Sequence, residues 1–206
     1  MSTLLHHINL TTLTVHSLVD KEMEQIEKAC KKGCSACCHQ IVDTLTWEEP
    51  RIIDFIDANF NRKSRRILSK NLTKWFNAFN QCTPEANTQA PLNFNDIAHA
   101  QQVFREQRIA CPFLIESACS IYPVRPLVCR IHYQKEAKPH CSANPHRLPP
   151  EDAQAIFYDA VKRFDSRTYP VMSKPLAYVV AVDFGSNIRS KPMMGVMLEP
   201  SKMFTR

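Results

Sequence analysis

The 206-residue chain carries 44% hydrophobic and 22% charged residues, enough apolar material to bury a core and too little charge for wholesale disorder. Its net charge of +6 is spread along the chain, with no concentrated basic stripe bearing stacking aromatics, which makes nucleic acid an unexpected partner. With only three glycines, Gly33, Gly185 and Gly195, neither a phosphate-binding P-loop nor the G-x-G-x-x-G turn of a dinucleotide fold can be built.

Val15, Leu18, Val19, Met23, Ile26 and Cys30 recur near the helical period and predict a helix from about Ser17 to Lys32, with Gly33 as its C-terminal cap. His39 to Leu45 is short, rich in β-branched residues and expected to be extended. Thr46-Trp47-Glu48-Glu49 matches a capping box, with Pro50 in the first turn of a helix continued by Ile52, Ile53, Ile56 and Phe60. Leu68, Leu72, Trp75, Phe76 and Phe79 mark a stronger amphipathic helix over about 62–81. Its opening run, Arg62-Lys63-Ser64-Arg65-Arg66, reads as a solvated face. Residues 83–91 read as a loop, and Phe94, Ile97, Ala98, Gln101 and Phe104 as a further helix.

Residues 109–150 hold seven prolines and four cysteines with little periodicity. Such a segment is expected to be held by something other than regular hydrogen bonding. Ala153, Ile156, Phe157, Ala160, Val161 and Phe164 then predict a last helix. Ala177 to Phe184 reads as a strand, and Met193, Met194 and Met197 are expected to pack on the body. The architecture expected is mainly α: a single domain over 1–206 with a cysteine-rich core over 26–145 and an irregular Pro/Cys-rich segment.

Nine cysteines all fall between Cys30 and Cys141. An odd count precludes complete internal disulfide pairing. The N-terminus lacks a basic start followed by an apolar run, and no stretch approaches ~18 apolar residues, so the expected setting is a reducing cytoplasm with no membrane partner. There, clustered cysteines point to metal or redox chemistry. The order is Cys30-x3-Cys34-x2-Cys37-Cys38, then Cys111, Cys119, Cys129 and Cys141. A C-x2-C turn aims two thiolates at one centre, with metal–sulfur bonds of ~2.3 Å for zinc. The later set is placed to complete the site. These eight are the candidate ligands, for an iron–sulfur cluster or for zinc. Cys37 and Cys38, as neighbours, leave the backbone in different directions and are expected to play unequal roles. Cys82 stands apart and reads as a small buried hydrophobe. Of the nearby histidines, His39, His132, His140 and His146, the best candidate ligand is His132.

The two motifs CKKGCSACC (30–38) and CPFLIESACSIYPVRPLVCR (111–130) together resemble the YkgJ-type cysteine-cluster family, a zinc- or iron-chelating group with a CxxCxxCC signature. The likeness covers roughly 26–145. This chain departs from the signature in placing three residues, not two, between Cys30 and Cys34. The resemblance implies a metal site. It also extends to a flagellin lysine methylase associated with an iron–sulfur cluster and S-adenosylmethionine, which implies a metal-dependent protein-lysine methyltransferase-like enzyme as one alternative. A metal carrier, or a structural zinc module presenting a surface to a protein partner, is another. An enzyme predicts an open coordination position beside a pocket; a structural module predicts closed coordination by four thiolates and no pocket. Arg125 and Arg130 are expected to neutralise bound thiolates, and Tyr122 to be a packed aromatic with its hydroxyl bonded.

Overall fold

A computed structural model describes residues 3–30, 33–83, 94–135, 148–164, 172–184 and 196–197. The chain is mainly α-helical. Helix α1 (Thr3–Glu24) buries Ile8, Thr12, Val15, Val19 and Met23, one stripe at spacings of three and four. It starts well before the expected Ser17 and stops eight residues short of Lys32. Its last turn tightens into i→i+3 bonds, from Gln25 N–H to Glu22 O and from Ile26 N–H to Met23 O. The Lys28 ammonium caps Met23 O at 2.9 Å. Ala29 N–H then bonds Gln134 O at 2.9 Å, drawing the chain onto the 133–134 segment. Cys30 is therefore delivered by an irregular, non-helical stretch, and Gly33, at φ +85°, serves a turn rather than a helix cap.

A 3-10 turn (Ala36–Cys38) precedes strand β1 (Asp43–Leu45). The expected helix start is shifted. A second 3-10 turn (Thr46–Glu48) leads into α2 (Glu49–Asn59), and the carboxylate reaching back is that of Glu48, accepting from Leu45 N–H at 2.9 Å. Helix α3 (Arg62–Cys82) is capped by Asn61, whose side chain accepts from Ser64 N–H. Its basic opening is a solvated face: Arg62, Lys63 and Arg66 are exposed. On the opposite face Trp75 stacks on Phe79 at 4.9 Å. Helix α4 (Phe94–Glu106) turns Ala100 and Phe104 inward, while the expected core residue Ala98 is exposed.

The Pro/Cys-rich segment is more regular than expected. Strands β2 (Leu114–Ile115) and β3 (Ala118–Cys119) form a hairpin. Its two-residue turn, Glu116-Ser117, has positive φ at both positions, a conformation usually met by Asn-Gly. A 3-10 turn (Tyr122–Val124) and the short helix α5 (Leu127–Ile131) follow. Helix α6 (Glu151–Arg163) buries Ala153, Phe157, Ala160 and Val161, as its periodicity requires.

Strand β4 (Met172–Pro175) joins β1 and β5 (Val196–Met197) in an antiparallel sheet of order β1-β4-β5. The expected strand over 177–184 is instead helix α7 (Leu176–Phe184). Pro175 ends β4, Leu176 N–H bonds Val42 O at 2.7 Å, and the following apolar run packs against α2 and α3. Short all-apolar runs fit a buried helix as well as a strand, and here the tertiary contacts decide. The expected loop over 83–91 lies outside the described residues beyond Thr83, as do Met193 and Met194.

Two cores result. One gathers Ile52, Ile56, the α3 aromatics, Phe104, Phe113 and Val180. The other gathers α1, Trp47, Leu127, Ile131, Tyr133 and the inner face of α6. The cysteine motifs run between them.

Candidate metal centre

Seven of the eight described cysteines line one cavity of about 640 Å³: Cys30, Cys34, Cys37, Cys38, Cys111, Cys119 and Cys129. Four devices bring them there. The turn at Gly33 and the 3-10 turn after it hold Cys34, Cys37 and Cys38 on one short bend. Cys111 N–H donates to Cys38 O at 2.7 Å, tying the second motif to the first across more than seventy residues. The β2–β3 hairpin then brings Cys119 opposite Leu114, and α5 presents Cys129. The cavity wall draws on both cores, Phe113 and Leu176 from one and Met23 and Tyr133 from the other.

Of the remaining candidates, Cys82 ends α3 outside the cavity lining and, rather than being fully buried, is half-buried against the first core. His132 lines the cavity, and burial, with the nearby Arg105 charge, pushes its pKa down to about 4, leaving a neutral imidazole at pH 7. His39 bonds Ser35 O through Nδ1 at 3.0 Å. Cys141, His140 and His146 lie outside the described residues.

The cavity strongly conditions its thiols. Burial pushes the Cys111 pKa up to about 12 and that of Cys129 well above the ordinary range. Cys37 is also raised well above it, first by its hydrogen bond to Cys38 and then by burial. A negative charge on Cys37 would raise the pKa of Cys30, Cys111, Cys119 and Cys129. Backbone donors oppose the burial effect: Phe113 N–H at the Cys111 sulfur, Ile121 N–H at Cys119 and the Gln134 backbone at Cys30. Donors aimed at sulfur favour the thiolate.

The arginines of the second motif act differently from the expectation. Arg130 is buried, ion-paired to Asp20 of α1, and donates to Pro123 O at 2.8 Å and Arg125 O at 3.0 Å. Arg125 pairs with the same Asp20 at 3.4 Å and lies 4.0 Å over the Tyr122 ring. They clamp the 122–130 turn onto α1, although the Arg125 charge still favours the Cys119 thiolate. Tyr122 is 57% exposed, not packed, because its ring serves as a platform for that guanidinium.

Sequence reasoning missed several wall residues. Asp43, Gln40, Gln101 and Arg105 all line the cavity. Gln101 brackets the Ile41 backbone, accepting from its N–H at 2.8 Å and donating to its O at 3.0 Å. Burial raises the Asp43 pKa to about 6, and Arg105 tempers the rise. These are isolated polar residues in ordinary elements, so no local pattern marks them.

The donor set fits a thiophilic metal, but among the described residues no three donors converge closely enough to hold one ion. Four thiolates bound to one zinc at ~2.3 Å each would lie within about 4 Å of one another. Here seven cysteines line a common cavity instead.

A family model described as "CxxCxxCC: Putative zinc- or iron-chelating domain" matches residues 29–147, more than half of the chain. No curated protein and no solved structure matches the chain. No helix among the described residues is long and apolar enough to cross a membrane.

Proposed function

The chain belongs to this CxxCxxCC family of zinc- or iron-chelating domains, and from that premise we propose that it holds an iron–sulfur cluster between its two cysteine motifs. The observation that carries the reading is the single cavity lined by seven thiols from segments 30–38 and 111–129. Iron–sulfur clusters take up to four cysteine thiolates spread around several metal atoms. That suits sulfurs ringing a cavity better than a point-like zinc site does. Cys37, Cys111, Cys119 and Cys129 are the proposed ligands: Cys111 is buried, the other three are half-buried, and a charge on Cys37 would be felt at the other three. Cys30, Cys34 and Cys38 complete the sulfur lining, and Cys141 remains a candidate from the sequence.

The cavity also favours a centre that meets another molecule over a closed structural zinc module. No feature among the described residues singles out methyl transfer to lysine as the reaction. Anaerobic purification of the full chain, with iron, zinc and acid-labile sulfide analysis and an absorption spectrum, tests the reading. Iron with matching sulfide, and visible absorption bleached by a reductant, is the expected result. Stoichiometric zinc without sulfide overturns the cluster while keeping the thiolate site; no bound metal overturns both.

A further inference from the structure

We propose that the wall of the cavity formed by Gln40, Asp43 and Arg105 is a binding site for a small hydroxy or amino acid, its carboxylate on Arg105 and its neighbouring donor on Asp43. The proposal rests on the metal reading only in that it places this ligand beside the thiols. A volume of about 640 Å³ greatly exceeds the ~30 Å³ share of one water and falls in the range of small-molecule pockets.

The charges of the wall single out Arg105. Four basic side chains line the cavity: Lys28, Arg105, Arg125 and Arg130. Lys28 is spent on Met23 O, and Arg125 and Arg130 share Asp20. Arg105 donates only its Nε, to Gln40 Oε1 at 3.2 Å. That bond orients the guanidinium while, among the described residues, its two terminal nitrogens have no hydrogen-bond partner. A planar pair of free donors is the geometry that grips a carboxylate with two parallel bonds. Asp43 and Arg105 feel each other's charge but form no direct ion pair among the described residues, so neither satisfies the other.

Asp43 narrows the ligand class. A bare anion drawn to Arg105 would also meet this carboxyl group. A hydroxyl or ammonium on the carbon next to the carboxylate turns that repulsion into a hydrogen bond. A ligand carrying both groups therefore answers both side chains, whereas acetate or phosphate answers one.

The test is calorimetric titration of the metal-loaded full-length protein with glycolate, glycine, acetate and inorganic phosphate, repeated on Arg105→Gln, Arg105→Lys and Asp43→Asn. Metal content is measured on every sample. Glycolate or glycine should bind at least about tenfold tighter than acetate. Arg105→Gln should lose that binding and Arg105→Lys should recover part of it, since a lysine keeps the charge without the fork. Asp43→Asn should erase the preference over acetate. Failure of all four compounds to bind, or unchanged binding in Arg105→Gln, overturns the site. Phosphate binding tightest overturns the assignment to Asp43. Bound metal with no ligand binding sinks this proposal alone, while ligand binding to metal-free protein leaves it standing without the metal reading.

Discussion

Glu48 is the residue on which the site's geometry hangs, and its replacement by glutamine measures how much. Its side chain is 1% exposed and joins three parts of the fold. Oε1 meets His16 Nε2 on α1 at 2.7 Å and Leu127 N–H at 2.7 Å, while Oε2 accepts from Leu45 N–H at 2.9 Å and the Thr44 hydroxyl at 3.3 Å. Burial lowers the His16 pKa despite this carboxylate, so a neutral imidazole donating from Nε2 accounts for the contact. In Glu48→Gln one oxygen becomes an NH2 group. The Thr44 hydroxyl can rotate to accept from it, and His16 can change tautomer, but the backbone N–H of Leu45 or of Leu127 cannot. At least one buried donor is orphaned whichever way the amide lies, at about 1–3 kcal/mol, and a charge-assisted bond becomes a neutral one. We expect a loss of about 2–4 kcal/mol, a large share of the ~5–15 kcal/mol typical of a domain. Urea denaturation of metal-free wild type, Glu48→Gln and Thr44→Val checks it, the last removing only the longest contact and costing under about 1 kcal/mol. Leu127 opens the helix that presents Cys129, so Glu48→Gln should also release its metal at lower chelator concentrations. A stability loss below about 0.5 kcal/mol with unchanged metal retention would refute the reasoning.

Cys37→Ser should lose most of the bound metal, because its thiol is coupled to four others around the cavity. Cys38→Ser, whose side chain packs on the first core, should keep more, and Cys82→Ser should keep it all; metal analysis of the three variants side by side decides, and equal losses in Cys37→Ser and Cys38→Ser would contradict the division. Acid stability should respond oppositely to two wall residues of the metal-free protein. His132, lowered from 6.5 to about 4 by burial, contributes stability that is lost as pH falls from 6.5 towards 4. Asp43, raised from 3.8 to about 6 by burial, costs stability as pH rises through the same interval. Each effect is at most about 3 kcal/mol, since both face a cavity open to water. Their slopes nearly cancel in the wild type. Urea midpoints should therefore climb with pH between about 4 and 6 in Asp43→Asn and fall in His132→Gln; parallel profiles in the two variants would contradict the assignment.

Much of this was legible where a local signal agreed with the tertiary one. Helix α3 was read to within a residue because five large apolar side chains hold the 3.6 period, with Asn61 just ahead of the helix. That the two distant cysteine motifs would share one site was suggested by thiol spacing, since that much sulfur has few other uses, and both line one cavity. The misreadings share a cause. Residues 25–30 continue an apolar helical pattern, yet Ala29 N–H prefers Gln134 O, over a hundred residues away. The valines of 176–184 suit a strand, yet the sheet position is already taken by β4. Arg105 and Asp43 lie in separate, unremarkable elements, and their common wall exists only once Gln101 and Arg105 of α4 bond the 40–41 segment ahead of β1.

The protonation of the thiols bears on how such a cavity can fold. Seven thiolates in one enclosure would repel each other and resist desolvation together. Burial raises the pKa of Cys30, Cys111, Cys119 and Cys129, and the hydrogen bond with Cys38 followed by burial raises that of Cys37, so without a cation these five thiols are neutral at pH 7. A bound cation reverses the balance, because ligation requires the thiolate and expels its proton. The donors that then stabilise sulfur charge are already in place at Cys111 and Cys119, where the amides of Phe113 and Ile121 point at the sulfurs. The cavity also draws its wall from both hydrophobic cores. A group held by Cys129 of α5, in contact with the α1 core, and by Cys111, buried in the other core, would cross-link them, making metal binding and the docking of the two cores a single linked equilibrium.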